Sequence, residues 1–274
     1  PQFHRTPEND KWWGEGFTEW TAVRKGKPLF EGHNQPREPL NDNYYDLLDK
    51  STMEWQARIA KEYKVYGFCF YHYWFKDGKR TLDKPAENLL GWKDIDMPFC
   101  FAWANEAWVR TWSNIKTAND WMECTEEDRR EDEDGRGILL EQKYGRERQW
   151  KEHFEYLLPF FEDERYITIE GKPLFIIYKP MLIPCLNQML RYWKKLAAEC
   201  GLPGLYIIVV NCESVEQWSM VDSRLVHEIS YTTDIERAES GQHRINMGNT
   251  VGIPYDYVWQ KCLNRQFSSD EKVF

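Results

Sequence analysis

Residues 97–108 read MPFCFAWANEAW. The apolar first half predicts a buried strand, which ends where Asn105 and Glu106 follow between Trp103 and Trp108. Aromatic rings stack on the apolar faces of pyranoses. A carboxylate held among such rings can exchange a proton with a glycosidic oxygen or stabilise charge at an anomeric carbon. The pattern therefore favours a functional carboxylate at Glu106 over a solvated strand-end glutamate without a role.

Strands and helices alternate along the chain on both sides of this stretch. Apolar strands are predicted over 65–71, 98–103, 173–178, 205–211 and, in a shorter form, near 225–230, and helices over 51–64, 85–90, 148–161 and 187–200. Helices between near-continuous apolar strands indicate βα units and a parallel sheet. Residues with polar side chains follow the ends of several strands, which is typical of (β/α)8 barrels. The predicted fold is therefore α/β, a (β/α)8 TIM-like barrel. A doubly wound open sheet is the alternative, but no glycine-rich phosphate loop follows any strand.

Two segments depart from this alternation. Residues 1–45 are rich in Gly, Pro and Trp and are predicted to be loop-like, wrapping one face of the barrel. Residues 123–136 form a run of charges, which is typical of a solvated and mobile insertion. There is no internal repeat and no interdomain linker in the sequence, so we expect one carbohydrate-active barrel domain over 1–274.

Charge and composition restrict the possible partners. The formal net charge of -9 argues against nucleic acid and against an anionic membrane surface, and no apolar run approaches the length of an integral membrane segment. The 14 Trp, 15 Tyr and 14 Phe residues often stand beside polar residues, which suggests stacking surfaces for a neutral or cationic ligand. Seven cysteines without a Cys-x-x-Cys pair indicate a reducing, cytoplasmic location. The spacing of Cys and His predicts no metal site and no cofactor.

Several segments together resemble the WbsX-like family, also described as glycoside hydrolase family 99-like. They are PQFH at 1–4, NDKWWGEGFTEW at 9–20, GHNQPR at 32–37, YYDL at 44–47, GFCFYHYWF at 67–75, FAWANE at 101–106, EQKY at 141–144, YLLPFF at 156–161 and GKPLF at 171–175. The resemblance implies a (β/α)8 barrel and glycosyl transfer in the assembly of bacterial lipopolysaccharide O-antigen or capsule. The related family 99 hydrolases are endo-acting, retaining α-mannosidases.

The resemblance also leaves the reaction open. The catalytic carboxylates of family 99 lie in a C-terminal Asn-Glu-Trp-x-Glu-Gly motif, which this sequence does not contain. The first residues match the tail of the first barrel strand, so we expect a barrel that lacks most of that strand and the last strands. Glycosyl transfer, hydrolysis of a glycosidic bond by an α-mannosidase-like enzyme, and glycan binding without catalysis are the three alternatives. The expected partner is an oligosaccharide or polysaccharide, with a sugar donor if the reaction is transfer.

The site prediction follows from strand ends and from the resemblance. Glu106 and Glu228 are the predicted catalytic carboxylates, with Glu213 as another choice for the second. The predicted substrate-binding residues are His4, Trp13, Glu19, Trp20, His72, Tyr73, Trp74, Trp103, Asn105, Trp108, Gln142 and Tyr178. In particular, we expect the side chains of His72, Tyr73 and Trp74 to point into one cleft with Glu106. We also expect Asn105 to form a hydrogen bond with a sugar hydroxyl.

Overall fold

The structure is a computed structural model, and it describes residues 3–28, 30–34, 37–109, 138–212, 215–228, 232, 245–247 and 250–266. The helices of this part are α1 (Pro7–Trp13), α2 (Glu19–Lys25), α3 (Lys50–Glu62), α4 (Lys84–Gly91), α5 (Glu147–Phe161), α6 (Leu186–Glu199) and α7 (Tyr255–Leu263). The strands are β1 (Phe68–His72), β2 (Phe99–Trp103), β3 (Trp108–Val109), β4 (Ile138–Leu140), β5 (Thr168–Ile169), β6 (Lys172–Ile177), β7 (Tyr206–Val210), β8 (Ser223–Leu225), β9 (Ile245–Met247) and β10 (Thr250–Gly252).

A parallel sheet forms the centre of the molecule. Its strands lie in the order β1-β2-β6-β7-β8, and every neighbouring pair in that order is parallel. Among the described residues this path is open at both ends, while β5 pairs with β6 in antiparallel fashion. Every residue of β2 and β7 is buried, as expected for parallel strands covered on both faces. The predicted α/β fold with a parallel sheet is therefore confirmed.

Aromatic side chains pack the sheet against the helices on one of its faces. The Phe101 ring lies 4.9 Å from that of Phe160 on α5, and the Phe175 ring lies 5.4 Å from that of Trp193 on α6. These rings are 2% exposed or less. Since side chains alternate along a strand, the residues between them point to the opposite face of the sheet. That second face carries the candidate site described below.

A buried ion cluster holds the amino end of the sheet. Asp163 and Arg165 share a bidentate contact, with Asp163 Oδ1 2.9 Å from Arg165 Nε and Oδ2 2.9 Å from Nη2. The same guanidinium donates to the carbonyls of Leu89, Trp92 and Ile95, each at 2.8 Å. Arg165 therefore ties the end of α4 and the segment before β2 to the turn after α5.

The predicted strands and helices are present, with some corrections to their bounds and to their burial. The strand predicted over 65–71 runs over Phe68–His72, and it is only half-buried because β1 is an edge of the described sheet. Cys69 lies on this edge strand and is exposed. The segment 1–45 is not simply loop-like, since it contains α1 and α2. The charge run at 123–136 lies outside the described residues.

Across the described part of the chain, no helix is both long enough and apolar enough to cross a membrane. The six cysteines found there are free thiols, at positions 69, 100, 185, 200, 212 and 262.

Candidate functional site

Four aromatic side chains gather where the parallel strands end. Tyr71 lies near the end of β1, Tyr73 follows that strand, Trp108 begins β3 and Tyr178 follows β6. The ring centroids are 6.4 Å apart for Tyr71 and Tyr73, 6.2 Å for Tyr71 and Tyr178, and 5.2 Å for Tyr73 and Trp108. All four side chains are at least partly exposed. We call these four residues the aromatic surface.

Glu106 lies beside the aromatic surface. It is exposed in the loop that follows β2, and its charge contributes to raising the pKa of Tyr71, Tyr73 and Tyr144. Burial is the largest cause for each phenol, and it raises the pKa of Tyr144 to about 12. These tyrosines are therefore protonated at neutral pH, and their hydroxyls can donate hydrogen bonds.

Glu19, from a distant part of the chain, also has an electrostatic effect on Tyr73. As the first residue of α2, it adds to the rise in the pKa of Tyr73, after burial and the neighbouring Tyr71. It contributes in the same way at Tyr45, where burial is again the main cause. Two carboxylates from different segments, Glu19 and Glu106, therefore act on one phenol.

Asn105 is a positioning residue rather than an open sugar ligand. Its Nδ2 donates to the carbonyl of Lys179 at 2.8 Å, and the Lys179 N–H donates to its Oδ1 at 2.8 Å. The Tyr144 hydroxyl donates to the Asn105 carbonyl at 2.7 Å. The side chain is fully buried, so the expected bond to a sugar hydroxyl finds no support. Asn105 instead fixes the loop that carries Glu106 to the end of β6.

His72, Trp74 and Trp103 lie on the other face of the sheet, in the core. His72 is 3% exposed, Trp74 9% and Trp103 1%. The indole N–H of Trp103 donates to the Trp74 carbonyl at 3.2 Å, and Tyr73 alone of its triplet joins the aromatic surface. The expectation that His72, Tyr73 and Trp74 point into one cleft is therefore wrong. Their side chains alternate as in an extended strand, so His72 and Trp74 point to one face of the sheet and Tyr73 to the other.

The His72 ring pairs with a second buried histidine. Its Nε2 lies 2.7 Å from Nε2 of His153 on α5, and the Trp74 ring stacks on His153 at 4.4 Å. Burial lowers the pKa of His72 to about 3 and holds that of His153 well below its ordinary value. Both rings are neutral, so one Nε2–H donates and the other Nε2 accepts. This pair joins the sheet to the helix layer.

Comparison with known proteins identifies the family. The model for Glycosyltransferase WbsX matches residues 1–274. This chain belongs to the WbsX family. Membership confirms the resemblance carried by the Trp-rich and Tyr-rich segments.

Two further similarities accompany the family match. The uncharacterized protein WxcX of Xanthomonas campestris pv. campestris is 35% identical over 213 residues, which are 77% of this chain and 27% of that relative. This WbsX-family chain thus spans about a quarter of its curated relative. Among solved structures, it is similar to a glycoside hydrolase-like protein, with a TM-score of 0.45, 13% identity and coverage of 74% of this chain and 59% of that one. It is also similar to the GH99 endo-α-mannosidase from Bacteroides thetaiotaomicron, with a TM-score of 0.42, 15% identity and coverage of 86% and 65%.

The N-terminal residues predicted to bind substrate have different places in this WbsX-family chain. His4 is 1% exposed, and burial lowers its pKa. The Trp20 indole donates to the Tyr45 carbonyl at 2.8 Å and anchors the loop. Trp13 is half-buried, with its ring 6.1 Å from that of Phe17. Glu19 is linked to the aromatic surface through its electrostatic effect on Tyr73.

The side chain of Glu228 is hydrogen-bonded to other residues of the chain. Its carboxylate accepts hydrogen bonds from Arg265 Nε at 2.5 Å, Thr232 Oγ1 at 2.8 Å and Cys262 Sγ at 3.2 Å. Burial alone would raise its pKa, but these contacts outweigh burial and lower it. Hydrogen bonds that keep the Glu228 carboxylate ionised are typical of a structural contact, here one that fixes α7, rather than of a group that transfers protons in catalysis.

Other predicted positions add little to the site. Glu213 lies outside the described residues. Gln142 is half-buried and follows β4, with its Nε2 3.5 Å from the Lys143 carbonyl. In the part of the chain that the structure describes, no group of three or more His, Cys, Asp or Glu side chains could hold a metal.

The sequence analysis did not identify two residues that matter here. One belongs to the WbsX-family site itself, and the other lies in the core behind it. Tyr71 completes the aromatic surface, and its alternation with Cys69 and Tyr73 along the strand was the signal for their shared face. His153 is the partner of His72, but its position within a helix with apolar spacing gives no indication of that contact.

Proposed function

We propose that this chain forms part of a glycosyltransferase that assembles a bacterial polysaccharide, with lipopolysaccharide O-antigen or capsule as the class of product. The observation that supports the proposal most is the aromatic surface, which carries the exposed Glu106 at the carboxyl ends of parallel strands. Catalytic groups of α/β enzymes concentrate at this edge of the sheet. Family membership supports the same reading.

The proposed chemistry uses each part of this surface. A pyranose ring of the acceptor stacks on Tyr71, Tyr73 or Trp108, and the protonated phenols donate to its hydroxyls. The Glu106 carboxylate takes the proton of the acceptor hydroxyl while that oxygen forms a bond to the anomeric carbon of the donor sugar. The bond from that carbon to the leaving group breaks, and the leaving group departs with the electron pair. The charge of Glu106 also stabilises the positive charge that develops on the donor sugar.

The test replaces Glu106 in the intact protein. In Glu106→Gln, we expect donor-dependent transfer to an acceptor glycan to fall by about 10²- to 10⁴-fold, which is the usual contribution of a general base. The matched control is Glu15→Gln, because Glu15 has 93% of its side chain exposed and the substitution changes the net charge equally. Thermal unfolding of both variants verifies that the fold is intact.

Other outcomes would replace this proposal. Release of reducing sugar from a mannan without any donor would indicate a hydrolase, as in the α-mannosidases that the sequence resembles. Saturable glycan affinity without either activity would indicate a binding barrel. Unchanged turnover and unchanged glycan affinity in Glu106→Gln would exclude Glu106 from the site.

A further inference from the structure

Two free cysteines lie next to each other on adjacent strands of the parallel sheet. Cys69 of β1 and Cys100 of β2 are partners in the register of these two strands. The backbones of neighbouring strands lie about 4.8 Å apart, and residues paired across parallel strands point to the same face of the sheet. The register therefore places both thiols on one face, in adjacent positions.

The spacing of this pair is compatible with a disulfide. A disulfide needs α-carbons about 4.4–6.8 Å apart and side chains that do not point away from each other. Register partners on parallel strands meet both conditions, because the distance between strands falls within that range and both side chains stand on one face. The β-carbons must approach slightly, to about 3.5–4.5 Å. The strand β1 can make this small movement, since it is an edge of the described sheet.

The two thiols differ in exposure and in acidity, which gives each a separate role. Cys69 is exposed to solvent, whereas Cys100 is 3% exposed. The Cys100 thiol donates a hydrogen bond to the Cys69 sulfur, which lowers the pKa of Cys69 although desolvation opposes the change. The same hydrogen bond, together with burial, raises the pKa of Cys100. Because the thiolate is the form that attacks a disulfide, Cys69 is the attacking thiol and Cys100 the one that completes the reaction.

We propose that Cys69 and Cys100 form a redox modification site that takes a small organic disulfide as its reactant. The Cys69 thiolate attacks one sulfur of that disulfide, so a mixed disulfide forms and one thiolate leaves with the electron pair of the broken bond. Cys100 then loses its proton to water, and its sulfur attacks the Cys69 sulfur and releases the second thiolate. The chain loses two electrons and two protons and gains the Cys69–Cys100 bond, while the small disulfide is reduced to two thiols.

This modification is independent of the proposed sugar transfer. It takes place on the face of the sheet that carries Tyr71, because Cys69 and Tyr71 are two residues apart on β1 and point the same way. A chemical change at the thiol pair therefore lies next to the aromatic surface without involving any of its four residues.

The test uses oxidised glutathione as the probe and peptide mass spectrometry of the intact chain as the measurement. Trypsin places the two thiols in separate peptides, residues 65–76 and 94–110, and neither peptide contains another cysteine. After oxidation of the folded protein, we expect these two peptides to be joined by a disulfide. Treatment with dithiothreitol should restore both free thiols, since the modification is reversible.

Single substitutions separate the two roles. In Cys100→Ser, oxidation should stop at one glutathione bound to Cys69, whereas in Cys69→Ser the thiol of Cys100 should stay free. The matched control is Cys200→Ser, because Cys200 is also exposed and follows α6, and this variant should form the cross-link as the wild type does. Cys100→Ala repeats the measurement with an apolar side chain at the buried position, and circular dichroism verifies that each variant is folded.

Three contrary results would overturn the inference. Free thiols in both peptides after treatment of the wild type would exclude a redox site at this pair. A reaction of the wild type that stops at the mixed disulfide would mean that Cys100 does not reach the Cys69 sulfur. An equal loss of the cross-link in Cys200→Ser would assign the reaction to exchange with other thiols rather than to the cross-strand pair.

Discussion

At the scale of single residues, Asn105 shows how one side chain can organise a site without touching a ligand. Its amide forms two hydrogen bonds to the backbone of Lys179, so the loops after β2 and β6 are held as one unit. Glu106 is the next residue, and Tyr178 precedes Lys179. The arrangement of the carboxylate relative to the rings therefore depends on these two bonds.

Asn105→Asp tests this role, because it keeps the shape of the side chain and replaces the donor by an acceptor that faces the Lys179 carbonyl. We expect a loss of about 1–3 kcal/mol in the free energy of unfolding, the cost of leaving a buried polar group unpaired. Urea denaturation measures it. Asn187→Asp is the matched control, since Asn187 Nδ2 donates to the Gln217 carbonyl at 3.1 Å in an exposed setting. Equal losses in the two variants would contradict the special role of Asn105.

At the scale of elements, the sequence predicts the strands of the central parallel sheet and the helices between them, but not the short strands outside it or the helices α1, α2 and α7. Apolar runs and helical spacing locate β2, β6, β7 and the helices between them, because burial on both faces leaves a simple hydrophobic signal. The same signal locates β1 but wrongly predicts that it is fully buried, since the residues of this edge strand alternate between more and less exposed positions. It also fails for tertiary pairing, because the Glu228 contact with Arg265 joins residues 37 positions apart.

The ion cluster at the amino end of the sheet leads to a prediction at this scale. Arg165→Met removes the guanidinium from Asp163, whose side chain is 0% exposed, and takes one hydrogen-bond donor away from each of three backbone carbonyls. Burial would raise the pKa of Asp163, but hydrogen bonds from Arg165 and Lys93 outweigh burial and lower it. We expect a loss of about 3–5 kcal/mol in the free energy of unfolding. Arg148→Met is the comparison, because its ion pair is exposed and should matter little.

At the scale of the whole molecule, the two faces of the sheet have separate tasks. The face with Phe101, Phe175 and His72 packs on α6 and on α5, which carries His153, and this packing supplies stability. The opposite face presents the tyrosines and, at its carboxyl end, Glu106. Aromatic content alone predicted stacking residues, but it could not assign each ring to a face, since core rings and surface rings have the same composition.

This division predicts how stability depends on pH. His72 and His153 are neutral in the folded protein, with lowered pKa values, whereas in the unfolded chain each titrates near 6.5. Below about pH 6.5 the unfolded state therefore binds more protons, so stability is complete above that pH and declines as the pH falls towards about 3, the folded pKa of His72. Each histidine contributes a slope of about 1.4 kcal/mol per pH unit over this window.

His153→Gln should remove one histidine's share of that slope while keeping a hydrogen-bonding group next to His72 Nε2. The measurement is the free energy of unfolding by urea at a series of pH values from neutral to mildly acidic. Phe154→Leu, a change at the adjacent buried residue of α5, is the control, because it lowers stability without removing a titrating group. Its curve should be displaced in parallel to that of the wild type, whereas the His153→Gln curve should be flatter. Two parallel curves would mean that His153 gains a proton in the folded state, and the neutral histidine pair would then be wrong.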